Sequence, residues 1–153
     1  MLPAPWHLAQ VNIGRIAAPL DSDTMHGFTS RLDEINALAD GWPGFVWRLQ
    51  GEEDSATDLR PFEDDTLLVN MSVWESLDAL RDYVYRSDHV AVLRERRQYF
   101  LPMKEAFTAL WWVPAGHLPT TDEAWQRLLH LREHGPTAHA FTFRQPFGPL
   151  TPE

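Results

Sequence analysis

The sequence predicts an α+β fold of the ferredoxin-like class, built on an antiparallel sheet and arranged as a dimeric α/β barrel. First, segments with a two-residue apolar period alternate with segments of helical period in the order β-α-β-β-α-α-β-α-β. Second, the first six major elements of this order match the split β-α-β pattern. Third, one side of the predicted sheet is apolar and the other is mixed, and two mixed sides packed across a two-fold axis would enclose a barrel.

The predicted elements of the first half are two strands and one helix. Residues 7–15 alternate and form the first strand, and residues 45–49 form the second strand after a Trp-Pro-Gly turn. A single helix is expected over residues 21–41, since one apolar stripe recurs there at helical spacing. Its members are Met25, Phe28, Leu32, Ile35 and Ala39.

The middle of the chain predicts a long acidic loop at residues 51–65, followed by a third strand at residues 66–74. Ser72 and Glu75 have the spacing of a capping box for the next helix. A short helix is then expected from Asp88, ending at Leu101 because Pro102 cannot continue it.

The last part of the chain predicts a fourth strand at residues 107–113 and a further helix opened by a capping box of Thr120 and Glu123. Gly135 ends this helix, and residues 139–144 form a final strand. We therefore expect one domain over residues 1–153, with an extra C-terminal helix and strand at about 120–145 and a loose proline-rich tail at 146–153.

Composition limits the function classes. The 153 residues are 44% hydrophobic and 23% charged, as expected for one globular domain. The net charge of −9 argues against nucleic-acid binding, which needs a basic surface. The absence of cysteine, of a signal-like N-terminus and of a long apolar run predicts a cytoplasmic protein that does not bind membranes.

Strand periodicity separates two sets of side chains. The apolar set should lie under the helices: Val11, Ile13, Phe45, Trp47, Leu67, Val69, Met71, Phe107, Trp111, Phe141 and Phe143. The mixed set should form the open side: Gln10, Asn12, Arg48, Asn70, Ser72, Trp74, Thr108, Trp112, Thr142 and Arg144. A side of this composition predicts a homodimer with a partly polar interior, and that interior is the candidate small-molecule site.

The motif VWES at residues 73–76, with Ala79, Leu80 and the later Ser87 to His89, resembles a signature of antibiotic-biosynthesis-type monooxygenases and related haem-degrading monooxygenases. The runs SDHVAVLRERRQYF, ALWWVPAGHLPT and GPTAHAFTF resemble an uncharacterised bacterial family of the same dimeric α/β-barrel superfamily. The resemblance implies the fold, and a possible monooxygenase activity in the broader group.

The resemblance also suggests roles for individual residues. Asn12 is similar to the asparagine that haem-degrading members place beside the porphyrin, while Tyr83 stands where they have tryptophan and Arg94 where they have the iron-binding histidine. These departures disfavour haem as a cofactor. Asn70 and Trp74 are similar to an asparagine–tryptophan pair of the quinone-forming monooxygenases.

Other residues with useful chemistry lie nearby in the predicted fold. His89 is a candidate general base or haem ligand, although its position after Asp88 favours a capped, hydrogen-bonded histidine. His130 and His134 are four residues apart but lack the HExxH pattern of a zinc site. The arginines at positions 94, 96 and 97 either pair with the acidic excess or bind an anionic ligand.

Three readings of function remain open. One is a cofactor-independent monooxygenase acting on a planar aromatic or polyketide-like substrate; a second is a non-catalytic ligand-binding or sensing module, with a haem-binding protein as a third alternative. The candidate catalytic residues are Asn12, Asn70, Trp74 and His89. The candidate substrate-binding residues are Gln10, Arg48, Tyr83, Trp112 and Arg144.

Overall fold

The computed structural model describes residues 6–19, 22–30, 32–49, 67–86, 99–102 and 107–149. Within these ranges lie the strands β1 (Trp6–Ile16), β2 (Phe45–Arg48), β3 (Leu67–Trp74), β4 (Phe100–Leu101) and β5 (Thr108–Pro114) and the helices α1 (Asp23–Thr29), α2 (Leu32–Asp40), α3 (Leu77–Arg86) and α4 (Thr121–His134). None of the helices in the described ranges is long and apolar enough to cross a membrane.

The sheet has β1 at its centre. Its strand order is β2-β3-β1-β5, with every pair antiparallel. The short strand β4 pairs with the end of β1 at Arg15 and Ile16, on the edge that β5 also occupies. This is the strand order of the ferredoxin-like fold, so the predicted fold class is confirmed.

The predicted first helix is two helices. α1 ends at Thr29 and α2 begins at Leu32, where the apolar stripe predicted one continuous helix. The hydroxyls of Thr29 and Ser30 donate to the carbonyl oxygens of His26 and Gly27 at 3.3 and 3.4 Å. Serine and threonine that bond to the backbone in this way destabilise a helix, and Gly27 within α1 destabilises it further.

The third helix is capped by a different serine from the one predicted. Ser72 lies within β3, and the hydroxyl of Ser76 accepts from the backbone N–H of Ala79 at 3.1 Å. At α4 the predicted capping residue is correct, because Thr120 accepts from the N–H of Glu123 at 3.1 Å. Gly135 ends α4 with a φ of 74°, a conformation that favours glycine.

Two other predicted elements differ from the structure. Phe100–Leu101 form β4, where the sequence predicted the end of a helix. The predicted strand at 139–144 is reduced to isolated bridges, one of which joins Phe141 to Leu110. The acidic loop at 51–65, most of the helix from Asp88 and the arginine cluster at 94–97 lie outside the described residues.

One side of the sheet, the α4 face, is an apolar core covered by α4. Ala124, Leu128 and Leu131 of α4 pack against residues of β1, β3 and β5. The strand residues of this face are Ala9, Val11, Ile13, Val69, Met71, Val73, Ala109, Trp111 and Val113. They are at most 5% exposed, and five of them, Val11, Ile13, Val69, Met71 and Trp111, belong to the apolar set that the period-two pattern placed under the helices.

The other side, the mixed face, is not open along its whole length, contrary to the prediction. Residues of α2 and α3 pack over its Trp74 end, where Trp74 is only 1% exposed. Phe141 also lies on this face, packed with Leu8 and Leu110, although its parity in a continuous strand predicted the α4 face. The short bridge at Phe141 explains the error, since no extended strand fixes its alternation.

A β-bulge in β2 moves one further residue between faces. The register shifts between Phe45 and Trp47, so that Phe45 pairs with Trp74 and Trp47 pairs with Val73. Phe45 consequently packs on the mixed face, and Trp47 packs on the α4 face. The period-two rule had placed both on one face.

Candidate functional site

Three cross-strand rows cross the mixed face. Their registers put Phe45, Trp74, Leu8 and Trp112 in the first row, Arg48, Ser72, Gln10 and Leu110 in the second, and Asn70, Asn12 and Thr108 in the third. Side chains therefore change from aromatic to polar along the strands. We call Gln10, Asn12, Asn70, Ser72 and Thr108 the polar floor.

The polar floor is joined by direct hydrogen bonds. The amide nitrogen of Gln10 donates to Asn70 Oδ1 at 2.7 Å and to Ser72 Oγ at 2.8 Å. The amide nitrogen of Asn12 donates to Thr108 Oγ1 at 2.6 Å. Gln10 and Ser72 are buried, Asn12 and Thr108 are half-buried, and Asn70 is exposed. The floor thus runs from the protein interior to a surface where a ligand can reach it.

An aromatic cluster borders the floor on one side. Trp74 stacks with Tyr83 of α3 at a ring-centroid distance of 5.1 Å, and Phe45 meets Trp74 edge-on at 5.4 Å. Trp42 meets Tyr83 edge-on at 5.8 Å. The indole N–H of Trp74 donates to Ser72 Oγ at 2.8 Å, which links this cluster to the floor.

A second aromatic cluster borders the other end. Phe28 of α1 contacts Phe100 edge-on at 5.1 Å and Tyr99 at 5.8 Å. The ring of Phe100 lies over Gly14 of β1, so close that a β-carbon at position 14 would come within 2.6 Å of it. Gly14 is therefore required for the close approach of Phe100, a feature the sequence reading did not identify.

An ion pair between a buried arginine and an exposed aspartate lies beside the first cluster. Arg48, 6% exposed, donates from Nε to Asp40 Oδ1 at 2.7 Å and from Nη2 to Asp40 Oδ2 at 3.2 Å. Burial raises the pKa of Tyr83, an effect that Arg48 opposes and Asp40 reinforces. Tyr83 therefore remains protonated at neutral pH, and its hydroxyl donates to the carbonyl oxygen of Ile35 at 3.2 Å.

The C-terminal segment closes the aromatic end of the mixed face. Phe141 exchanges two backbone hydrogen bonds with Leu110, at 2.8 and 2.9 Å. The indole N–H of Trp112 donates to the carbonyl oxygen of Phe147 at 2.8 Å, and Phe147 packs near Phe141. Trp112 is consequently half-buried under this segment.

The sequence-predicted site residues are only partly brought together. Asn12, Arg48, Asn70, Trp74 and Trp112 share the mixed face, as the period-two rule predicts. Arg144 is exposed on the C-terminal segment beyond Phe141. His89 lies outside the described residues. Ser72 and Thr108 were assigned to this side of the sheet, but their bonds to the predicted amides were missed because sequence alone does not give cross-strand register.

Histidines gather at a different place, where α4 meets the C-terminal segment. The ring of His130 lies 4.4 Å from those of His134 and His139, measured between centroids. Arg127 Nη1 lies 2.9 Å from His139 Nδ1. Burial, then Arg127 and His130, lowers the pKa of His139. Among the described residues, no three histidine or acidic side chains form a metal-binding group.

A groove of about 350 Å³ lies outside the mixed face, between the turn before β2 and α3. It is lined by Pro43, Gly44, Glu75, Asp78, Ala79 and Asp82. Glu75 and Asp78 are exposed, which is expected of a solvated helix surface. We therefore place the candidate site on the polar floor, where buried polar groups converge, and not in this acidic groove.

The fold and this site define a ferredoxin-like α+β protein with a polar, aromatic-bordered sheet face. Residues 7–152 match the family described as Domain of unknown function (DUF3291), and the chain belongs to that family. No curated protein matches the sequence.

Several solved structures are similar in arrangement. SnoaB, a cofactor-independent oxygenase from Streptomyces nogalater, is 19% identical, with 73% of this chain and 95% of that chain covered and a TM-score of 0.48. The Mycobacterium tuberculosis protein Rv0793 is 15% identical over 74% and 99% of the two chains, with a TM-score of 0.49. A proposed antibiotic biosynthesis monooxygenase from Nitrosomonas europaea is 10% identical over 78% and 99%, with a TM-score of 0.47. With TM-scores below 0.5, the function of this chain has to be argued from its own residues.

Proposed function

We propose that this protein binds a planar aromatic or polyketide-like molecule on the polar floor and oxidises it as a cofactor-independent monooxygenase. The observation that carries the proposal is the position of the floor, a hydrogen-bonding surface between two aromatic clusters on one sheet face. A flat ligand with oxygen substituents needs this combination, since its rings pack against aromatic edges and its oxygens need donors.

The dimensions of the floor suit a polycyclic ligand. Leu8 lies in the first row and Gly14 lies under Phe100, so these two residues mark the two aromatic ends. The six residue-to-residue steps from Leu8 to Gly14 in an extended strand span about 20 Å. The floor between them offers Gln10 and Asn12 from the central strand, with polar neighbours on both sides.

The proposed chemistry uses the donors of the floor to stabilise an anion. A bound phenol or enol loses its proton more readily when amide N–H groups bond to the resulting oxyanion, because they lower its pKa. The electron-rich ring carbon then reacts with dioxygen. In the balanced reaction a CH₂ group and O₂ give a carbonyl group and water, so one oxygen atom enters the substrate and the other leaves as water.

The residue roles in this proposal follow from burial. Asn12 and Asn70 reach the surface of the floor and contact the substrate oxygen, and Gln10 supports Asn70. Tyr83 and Trp74 are buried behind the floor at one end and support it from within. Arg48 in the second row and Trp112 in the first row are proposed to bind the substrate. His89 is the proposed base, and Arg144 is proposed to bind an acidic substituent at the rim.

Oxygen consumption with a planar hydroxylated substrate, such as an anthrone, tests the enzyme proposal. We expect wild-type protein to consume one O₂ per carbonyl group formed. The Asn12→Ala and Asn70→Ala variants should lose about 10²-fold or more in kcat/KM, the scale for removing an oxyanion donor. Ser30→Ala, a change at an exposed residue of the α1–α2 junction, is the matched control. Oxygen uptake that is unchanged in both asparagine variants would overturn the proposal.

One observation favours the alternative, a non-catalytic binding or sensing module. The carboxylate of Asp40 is held by two bonds to Arg48, and Tyr83 keeps its proton at neutral pH. Neither side chain is therefore placed to accept a proton from a ligand on the polar floor. Ligand binding that depends on Asn12 and Asn70, without any oxygen uptake, would identify the binding module.

Assembly and cofactor are the remaining parts of the proposal. We propose a homodimer and no resident cofactor, with haem binding disfavoured by Arg94 in the place of a ligand histidine. The homodimer was expected in order to cover an open aromatic face, but Trp74 is covered within one chain. Sedimentation equilibrium at micromolar concentration tests the dimer. A tight complex with haem, detected by its Soret absorption and lost in His89→Ala, would contradict the cofactor assignment.

A further inference from the structure

A chain of hydrogen bonds crosses the mixed face from the core to the surface. The indole N–H of Trp74 donates to Ser72 Oγ at 2.8 Å, and the Gln10 amide nitrogen donates to the same oxygen at 2.8 Å. The second hydrogen of that amide nitrogen goes to Asn70 Oδ1 at 2.7 Å. Exposure rises along this chain, from 1% at Trp74, through 7% at Ser72 and 8% at Gln10, to the exposed Asn70.

The direction of these bonds determines what Asn70 presents to a ligand. Because Asn70 accepts with its oxygen, its amide N–H₂ group points away from Gln10. Thr108 likewise accepts from Asn12 with its oxygen, so its hydroxyl hydrogen is directed elsewhere. The third row, formed by Asn70, Asn12 and Thr108, therefore offers hydrogen-bond donors at both ends.

The opposite orientation of Gln10 is less favourable. A rotated amide would bring its oxygen against the Asn70 oxygen that now accepts from Gln10, with no hydrogen between them. The indole N–H of Trp74 only donates, so Ser72 Oγ accepts from both Trp74 and Gln10 and joins the aromatic cluster to the floor.

We propose that Ser72 and Gln10 are positioning residues that hold Asn70 as a hydrogen-bond donor, and that the site is therefore specific for ligands presenting an anionic or carbonyl oxygen. This inference rests on the proposed function and names the feature of the substrate that the floor recognises. A phenolate or enolate oxygen satisfies it, whereas an amino-substituted ring brings N–H groups to the Asn70 and Thr108 positions, which already offer donors.

Alizarin, a planar hydroxylated anthraquinone whose colour changes on ionisation, is the probe. Spectroscopic pH titration gives the phenol pKa of the bound dye, and dilution series give its Kd. We expect wild-type protein to lower that pKa. Asn70→Asp keeps the acceptor for Gln10 but removes the donor, so the affinity for the phenolate should fall about tenfold or more and the pKa should rise.

Ser72→Ala and Gln10→Met test the positioning role. Each frees Asn70 to rotate, so each should reduce the pKa shift of the dye and weaken phenolate binding about three- to tenfold. Ser72→Thr keeps the hydroxyl oxygen and should restore the shift. Thermal melts identify misfolded variants, and Ser30→Ala is the control that leaves the chain of bonds intact.

The outcomes separate the two proposals. If Asn70→Asp weakens dye binding while Ser72→Ala and Gln10→Met leave the pKa shift unchanged, the positioning role is wrong and the site stands. If the wild type fails to bind alizarin, or Asn70→Asp binds it as well as the wild type, both the site and the positioning role are overturned.

Discussion

The two faces of the central sheet are stabilised in different ways. On the α4 face, side chains from three strands and one helix form an apolar core. On the mixed face, the aromatic row is covered by helices and by the C-terminal segment, while the next rows carry an ion pair and linked amides. Both faces use the same strands, so in the regular parts of β1, β3 and β5 the parity of a residue decides which face it joins. A face that stabilises the fold needs no buried polar groups, so their concentration on the opposite face indicates a site.

The largest expected effect tests whether the aromatic end of the mixed face is core or site. Trp74 and Trp111 are 1% and 0% exposed. Replacing either with alanine should therefore lower the free energy of unfolding by about 3–5 kcal/mol, the usual cost of a large core truncation. Chemical denaturation measures both variants. A much smaller cost for Trp74→Ala would mean that its surroundings are open, as the sequence alone predicted.

The sequence predicted the strands well because period-two alternation is strong in β1, β3 and β5. It failed where local geometry interrupts the alternation. The bulge in β2 moved Phe45 to the mixed face, and the short bridge at Phe141 removed the basis for assigning that residue. The break after Thr29 was missed because the apolar stripe continues across it.

The site was predictable to the level of a face and no further. Parity alone put Asn12 and Asn70 on one side, but their direct pairing requires the register of β1 and β3. The covering of Trp74 by Tyr83 depends on where α3 packs, which no strand pattern specifies. Hydrogen-bond direction, the feature that distinguishes Asn70 as a donor, depends on atoms 60 residues apart in sequence.

The second prediction concerns the charge buried on the mixed face. Asp40→Ala would remove the Asp40 carboxylate from the guanidinium of Arg48, which is 6% exposed. We expect a loss of about 2–3 kcal/mol of stability, below the full range for buried pairs because the Asp40 side chain is 43% exposed. Arg48→Met is the comparison variant, since it removes the charge and keeps much of the apolar stem. Urea denaturation should show that Arg48→Met is the milder change; the reverse order would contradict this account.

A third pair of variants exchanges polarity between the faces on a single strand. Val113 is 2% exposed in the apolar core, so Val113→Thr should cost about 1–3 kcal/mol by burying a hydroxyl. Thr108 is half-buried on the mixed face, where it accepts from Asn12. Thr108→Val should cost about 1 kcal/mol or less in unfolding free energy but should weaken ligand binding. Equal stability losses in the two variants would remove the distinction between the faces.

The smallest expected effect concerns the connection between the faces, where the chain leaves α4 and brings Phe141 onto the mixed face. Burial, Arg127 and His130 lower the pKa of His139 below its ordinary value of 6.5. The unfolded chain then binds a proton at higher pH than the folded chain. Above the pKa of His139 in the unfolded chain, the residue is neutral in both states and does not lower the free energy of unfolding. As the pH falls from that pKa toward the lower pKa of the folded chain, only the unfolded chain binds the proton, so the free energy of unfolding decreases.

The lowered pKa of His139 predicts a lower Tm at about pH 5.5 than at about pH 7.5. His139 should account for only about 1–2 °C of this difference, because solvent screens the charge on its exposed ring. His139→Gln should reduce the difference between the two pH values. His26→Gln, at an exposed histidine of α1, is the matched control and should leave the difference unchanged. If acidification loosens the connection, ligand binding at the polar floor should weaken over the same pH interval, since Phe141 and Phe147 cover the adjoining aromatic row. A Tm difference that is identical in wild type and His139→Gln would show that the histidine cluster does not couple the two faces.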